Sequence, residues 1–254
     1  MNYTINVQGQ LMELSQPQVM GILNVTPDSF YTGSRMQTEQ EILGRAHQIL
    51  AEGAAMIDIG GCSTRPGSEP VSETDEMERL RLALGVVRRE FPRAVISVDT
   101  FRPDVARMVV EEYGADIIND VSEGGVEMYR MVARLRVPYI LMSVQPTLHD
   151  MLLAFAREVQ QLRDLGVKDM ILDPGFGFGK TVVQNYQVMN GLERLQVMDL
   201  PLLVGVSKLV KFKPLKFNMM NFLSKNFQIY YTIIFFICQQ RHYDRQDTKC
   251  NKLF

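Results

Sequence analysis

AVISVD at residues 94–99 and ADIIND at residues 115–120 are two short apolar runs, each closing on polar residues, with a helical pattern between them. Runs this short and this rich in Val, Ile, Leu and Met read as strands buried on both faces. The same rhythm extends in both directions along the chain. VMGILN runs to Asn24, AAMIDIGG passes through Asp58, VPYILMS runs to Ser143, DMILD to Asp173 and LPLLVGVS to Ser207. The polar ends are 20 to 41 residues apart, a spacing that suits strand–helix–strand units.

Helix signals fill the intervals. Thr38-Glu39-Gln40-Glu41 has the form of a capping box, followed by Ile42, Leu43, Ala46, Ile49 and Leu50 at helical spacing and Gly53 as a stop. A second helix starts at Ser72, with Met77, Leu80, Leu84 and Val87 inward, and a third runs from about Asp150 to Leu165 before Gly166. Seven such units, with polar residues at nearly every strand end, predict a (β/α)8 barrel with its site at the C-terminal mouth. A doubly wound sheet is the alternative, but it would gather its site at one crevice.

The 254 residues carry a net charge of −2 and are 46% hydrophobic and 22% charged, which excludes a disordered chain and a nucleic-acid binder driven by excess base. Three cysteines, Cys62, Cys238 and Cys250, form no C-x-x-C pair. That excludes a disulfide framework and a zinc ribbon and predicts a cytoplasmic protein. The first ten residues, MNYTINVQGQ, do not read as a signal peptide.

Composition changes after Leu209. Residues 210–254 carry a net +6 and have no Gly, Ala or Glu, whereas residues 1–209 carry a net −8. Lys, Asn, Phe, Ile and Tyr, all encodable by A/T-only codons, make up 24 of the last 45. The predicted division is therefore a barrel domain over 1–209, incomplete in its eighth unit, and an unrelated basic, aromatic tail over 210–254. A basic extension native to the protein is the alternative. Phe227–Cys238, FQIYYTIIFFIC, is too short to span a membrane and reads as a buried or aggregation-prone β segment. The tail is not expected to supply a proper eighth strand, which leaves the barrel open between its seventh and first strands. Parallel insertion of residues 227–237 there is the one route to closure.

VMGILNVTPDSF (19–30), DIGGCSTRPGSEPV (58–71), SVDTFRPDVA (97–106), IINDVSEG (117–124) and ILDPGFGFGKT (171–181) resemble dihydropteroate synthase over about residues 17–208. The resemblance implies a (β/α)8 barrel. It implies a transferase of folate synthesis that joins 6-hydroxymethyl-7,8-dihydropterin pyrophosphate to p-aminobenzoate, giving 7,8-dihydropteroate and pyrophosphate. Sulfonamides mimic the second substrate. The implied pterin pocket is Asp99, Asn119 and Asp173; a carboxylate, Asp173 foremost, can take parallel hydrogen bonds from the guanidine-like edge of the ring. Asn24 is the implied Mg²⁺ contact, and a single oxygen suffices because Mg²⁺ keeps most of its waters. Asp58 is expected to order the first two loops. Thr64 and Pro66 line the p-aminobenzoate pocket, Phe30 packs on its ring, and Arg65 neutralises pyrophosphate. Ser207 reaches the aminobenzoate carboxylate. The implied catalytic groups are Asp99, Asp173 and Lys208. Partners are small molecules and a second copy of the chain in a homodimer, with no nucleic acid and no membrane.

The chain also departs from the family. After GVS the family continues Arg-Lys-Ser, whereas here Lys208 takes the arginine position and Leu209 the lysine position. The Arg-x-His of the family's eighth strand has no counterpart; Arg241-His242 is adjacent, not spaced. The departures predict that ring recognition survives better than turnover. The alternatives are a non-catalytic product of a disrupted gene that at most binds pterin, and a pterin-dependent methyltransferase domain, against which NVTPDSF and STRPG argue. GFGFGKT fits neither a P-loop nor a dinucleotide loop, since Pro174 and Lys180 stand where glycines are required. Its glycines are read as letting the backbone turn closely behind the pterin strand.

Overall fold

The computed structural model describes residues 3–25, 35–62, 70–205 and 233–237. A hairpin comes first, β1 (Thr4–Val7) with β2 (Gln10–Glu13), antiparallel across a Gln8–Gly9 turn in which both residues have positive φ. The barrel strands follow: β3 (Gln18–Asn24), β4 (Met56–Gly60), β5 (Val95–Asp99), β6 (Ile117–Asp120), β7 (Tyr139–Met142), β8 (Met170–Asp173) and β9 (Leu202–Gly205). Between them lie α1 (Arg35–Ala51), α2 (Glu73–Glu90), α3 (Pro103–Tyr113), α4 (Val126–Leu135), α5 (Leu148–Asp164), α6 (Val182–Asn190) and a 3-10 turn at Leu192–Met198. Each neighbouring pair from β3 to β9 is parallel.

The expected gap between the seventh and first strands is not there. A tenth strand, β10 (Ile233–Ile237), pairs in parallel with β3 on one side and β9 on the other, so the sheet closes into an eight-stranded barrel. The β reading of Phe227–Cys238 holds for these five residues; the expectation that the tail would leave the barrel open does not. The physical reason is that a ladder is made by backbone N–H and C=O groups, so any β-prone segment long enough to span two open edges can satisfy them.

Alternation along the strands divides the side chains into two sets. Leu23, Ile57, Ile59, Ile96, Val98, Ile118, Tyr139, Leu141, Leu172, Leu202 and Val204 pack outward on the helices, against residues such as Leu80, Leu84, Val105, Val109, Met151 and Phe155. Met20, Met56, Ile117, Ile140, Ile171 and Leu203 form a separate interior cluster with Ile5, Val7 and Leu14. The hairpin therefore plugs the N-terminal end of the barrel. Its run TINV…QLME was not read as an element from the sequence, although it alternates around a Gln-Gly turn.

Helix α2 begins where predicted: the Ser72 side chain accepts the Asp75 amide, and Leu80, Leu84 and Val87 are buried. Helix α1 starts a turn earlier than predicted, at Arg35, which places Thr38 inside the helix and buries it instead of leaving it as a cap. Helix α5 is capped by Thr147 and spans nearly the predicted residues.

In β10, Phe235 is paired to Val19 and Val204. A proline there removes a ladder donor in the middle of a sheet, where it is not tolerated. The full chain is expected to melt cooperatively, and Phe235→Pro to lower the melting temperature by roughly 10 °C or more. An unchanged melt, followed by circular dichroism, would remove β10 from the barrel.

Candidate active site

Inward-facing positions change character along several strands. Two residues beyond interior Met56 comes Asp58, two beyond Ile117 comes Asn119, and two beyond Ile171 comes Asp173. Apolar side chains fill the hairpin end, and oxygen-bearing ones line the other. The strand register sets Asn24 beside Gly60, Gly60 beside Asp99 and Asp99 beside Asn119, in one row around the mouth. Asp58 and Ser97 are paired two residues deeper.

Gly60 matters because it has no side chain. A methyl group there would lie 3.0 Å from Asn24 Oδ1 and 3.6 Å from Asp99 Oδ2. Both oxygens thus face the space over Gly60.

Below that row sits a charged group taken out of water. Asp58 is 2% exposed. Its Oδ1 accepts a 2.6 Å hydrogen bond from Ser97 Oγ, and Asn119 Nδ2 donates across both carboxylate oxygens at 3.4 and 3.3 Å. Burial pushes the Asp58 pKa up to about 6, against the pull of the Ser97 and Asn119 bonds. The other end of the Asn119 amide, Oδ1, is buried with no hydrogen-bond partner among the described residues. Such atoms are rare in folded proteins and need an explanation.

Asp173 ends β8. Its Oδ1 accepts the Gly175 amide at 2.7 Å, which turns the chain sharply. Gly175, Gly177 and Gly179 all have positive φ, and a Cβ at Gly175 would collide with the Ser143 carbonyl oxygen. The predicted close turn behind this strand is therefore found. Lys180 Nζ secures it from outside by donating to Ser143 O at 2.9 Å and Gly175 O at 3.2 Å. Burial lowers the Lys180 pKa to about 8, opposed by the negative charges of Asp173 and Glu123.

A second network stands behind β5. Buried Glu76 accepts Thr100 Oγ1 at 2.8 Å and pairs with Arg102, whose other nitrogen donates to Val71 O at 2.6 Å. Arg79 donates to Gly61 O at 3.0 Å. Burial raises the Glu76 pKa, with the Thr100 bond and Arg102 opposing. Burial also pushes the Cys62 thiol up, with Arg102 and Arg79 opposing. His47 stacks edge-on against Phe91 and His149 is exposed.

The structure thus brings together Asn24, Asp58, Asp99, Asn119 and Asp173 at one barrel mouth. The bonds shown for Asp58 run to Ser97 and Asn119 inside the barrel. Phe30, Thr64, Arg65, Pro66, Ser207 and Lys208 lie outside the described residues. Sequence reasoning missed Ser97, Glu76, Arg102, Glu123 and Lys180. Ser97 was findable, since it stands two residues before Asp99 on the same strand. So was Glu76, a charge one turn before Leu80 on the inward face of α2.

Chemically, the described mouth offers acceptors: carboxylate and amide oxygens, suited to N–H groups and to positive charge. Among the described residues no group of three His, Cys, Asp or Glu is placed to hold a metal, and no helix is long and apolar enough to cross a membrane.

The Asp58 charge has a stability consequence whose sign follows from proton binding. Folded Asp58 keeps its proton up to about pH 6, whereas the unfolded side chain loses it near 3.8. Between those values the native state binds more protons, so stability falls as pH rises, and the full cost is present above pH 6. Asp58→Asn is expected to stabilise the chain by roughly 2–3 kcal/mol at neutral pH, with the gain shrinking towards acid. Urea melts of both proteins across this range check it; a gain that grows on acidification contradicts it.

A family profile described as pterin binding enzyme matches residues 20–235. Dihydropteroate synthase of Streptococcus pyogenes serotype M6 is 39% identical over 200 residues, covering 75% of this chain and 74% of its own. Among solved structures, Xanthomonas albilineans dihydropteroate synthase with 4-aminobenzoic acid matches with a TM-score of 0.80 at 28% identity, over 93% of both chains. The Yersinia pestis dihydropteroate synthase with a sulfonamide drug matches with a TM-score of 0.76 at 32% identity, over 92% of this chain and 93% of that one. With five oxygen-bearing residues at the mouth of a parallel barrel, and with these relatives, the chain belongs to the pterin binding enzyme family, among the dihydropteroate synthases.

Proposed function

We propose that the barrel mouth binds a dihydropterin through Asp99, Asn119 and Asp173 and is built for the dihydropteroate synthase reaction, at a rate cut down by its incomplete anion site. The observation that carries this reading is the buried Asn119 Oδ1, without a hydrogen-bond partner among the described residues and flanked in the inward-facing set by two aspartates. A pterin edge supplies the N–H groups that such a wall lacks. Relatives solved with 4-aminobenzoic acid and with a sulfonamide support p-aminobenzoate as the second substrate.

The reaction is a substitution at the methylene carbon of the pterin. The C–O bond to pyrophosphate breaks, a C–N bond to the aminobenzoate amine forms, and the amine proton leaves. Positive charge develops on the pterin and negative charge on the departing group. Asp99 and Asp173 act on the first, holding negative charge beside the ring. On the second side, Arg65, Ser207 and Lys208 are the groups this reading assigns, Arg65 and Lys208 to pyrophosphate and Ser207 to the aminobenzoate carboxylate. Asn24 Oδ1, with Asp99 across the side-chain-free Gly60, offers hard oxygen donors of the kind Mg²⁺ accepts. Mg²⁺ bound there would neutralise pyrophosphate as it leaves.

Strand β10 completes the barrel but not this anion site. Its five residues, Ile233-Ile234-Phe235-Phe236-Ile237, are all apolar, so no anion ligand comes from the strand that in the family bears Arg-x-His. Phosphate sites in this fold commonly use the loops after strands seven and eight. Ring binding and pyrophosphate departure should therefore come apart. The protein is further read as cytoplasmic, from its odd cysteine count without C-x-x-C spacing, and as a homodimer.

Three measurements test this. Calorimetry should detect pterin binding, reduced at least tenfold (about 1.4 kcal/mol) by Asp173→Asn. Turnover with activated pterin, p-aminobenzoate and Mg²⁺ should stay far below roughly 1 s⁻¹, the lower end of ordinary enzyme rates. A rate at or above that value would mean that the tail supplies cationic groups, Lys211 or Lys213, in place of the lost ones. Gly60→Ala should leave pterin binding and the melting temperature nearly unchanged while weakening Mg²⁺-dependent binding of the pyrophosphate-bearing substrate at least tenfold. Equal loss with both ligands would place the Gly60 crevice elsewhere in the mechanism.

A further inference from the structure

We propose that Asp58 is a positioning residue for ring specificity: it locks the Asn119 carboxamide so that the pocket presents a carbonyl oxygen, and thereby selects 2-amino-4-oxopteridines over 2,4-dioxopteridines. The inference rests on the pterin reading of the mouth and adds to it the group that sets its selectivity.

An amide has a donor end and an acceptor end of nearly the same shape, so a buried asparagine needs something to decide which end faces which way. An ionised carboxylate accepts only. Facing Asp58, Asn119 can therefore turn only its Nδ2 inward, where it lies 3.4 and 3.3 Å from the two oxygens. The carboxylate is itself held, because Ser97 Oγ, fully buried, donates to Asp58 Oδ1 at 2.6 Å. A half-turn of the amide would set its carbonyl against a desolvated negative charge. Oδ1 is thus committed to the opposite side, buried and unpartnered, at the level of Asp99 in the mouth row.

Asp58 is paired with Ser97 one step below that row and is 2% exposed, so it acts through Asn119 and not on the ligand. The consequence is chemical. An exocyclic 2-amino group and its neighbouring ring N–H give donors to a wall of acceptors. A 2-oxo group puts an acceptor against Asn119 Oδ1, and the lock at Asp58 prevents the amide from turning to accommodate it. Rejection by an unmatched buried polar group is the strong form of ligand discrimination. Asparagine at position 58 has both a donor and an acceptor, so it tolerates either orientation of Asn119.

The test measures binding of pterin and of lumazine, its 2,4-dioxo counterpart, to the full-length chain at neutral pH. The unaltered chain should prefer pterin. In Asp58→Asn the preference should fall at least tenfold, with lumazine binding improved. Ser97→Ala, which frees the carboxylate without removing it, should lower the preference in the same direction by about threefold and is an independent check on the same lock. In an Asn119→Ala background, Asp58→Asn should leave the ratio unchanged, because nothing remains to be oriented. Parallel loss of both ligands in Asp58→Asn and Ser97→Ala, at constant ratio, would overturn the positioning role while leaving the pterin site standing. Failure of the unaltered chain to bind either pteridine would overturn the site reading and this inference with it.

Discussion

The hydrogen-bond register between parallel strands β3, β4, β5 and β6 is the constraint on which the site depends. It sets Asn24, Gly60, Asp99 and Asn119 side by side, from four strands separated by up to 95 residues of chain. Side chains alternate with a period of two, so a one-residue slip of any strand would send its polar residue outward among the helices. The same register fixes what lies below. Asp58 and Ser97 are neighbours because Gly60 and Asp99 are.

That arrangement is built at a cost in stability. A carboxylate with 2% exposure and a carbonyl oxygen without a partner among the described residues both oppose folding. What offsets them is apolar burial at the other end of the barrel, where Ile5, Leu14, Met20, Met56, Ile117, Ile140, Ile171 and Leu203 pack together, and around it, where the strands meet the helices. The hairpin matters to the site in this sense: it fills the lower half of the interior with apolar side chains, so that the inward-facing polar groups gather towards the other end. Perturbed groups of this kind cluster where proteins act on ligands.

Closure by β10 separates two things that a barrel strand ordinarily supplies together. Its backbone joins β9 to β3, and that task is blind to side-chain identity. Its side chains should furnish groups at the mouth, and that task is not. An all-apolar Ile-Ile-Phe-Phe-Ile performs the first and contributes nothing polar to the second. The frame of the fold and the chemistry of its eighth strand are therefore independent properties of this chain.

How much was legible in the sequence follows from range. The strands, the polar ends at Asn24, Asp99, Asn119 and Asp173 and the start of α2 at Ser72 rest on local pattern, and for these the structure agrees; Ser207 lies outside the described residues. The position of Asp99, Asn119 and Asp173 at one mouth was legible too, because a barrel brings all strand ends together whatever their order. Helix α1 was misplaced by a turn because Thr38 looks like a cap in sequence, yet three helical residues precede it. The partners of Asp58 were not legible, since contact with residues 39 and 61 positions away depends on register, which no single strand encodes. Nor was barrel closure, because composition describes side chains whereas an edge is satisfied by backbone. Sequence alone determined which polar residues stand at the strand ends; tertiary structure decided which way their atoms point, because orientation at a buried amide is set by its neighbour across the sheet.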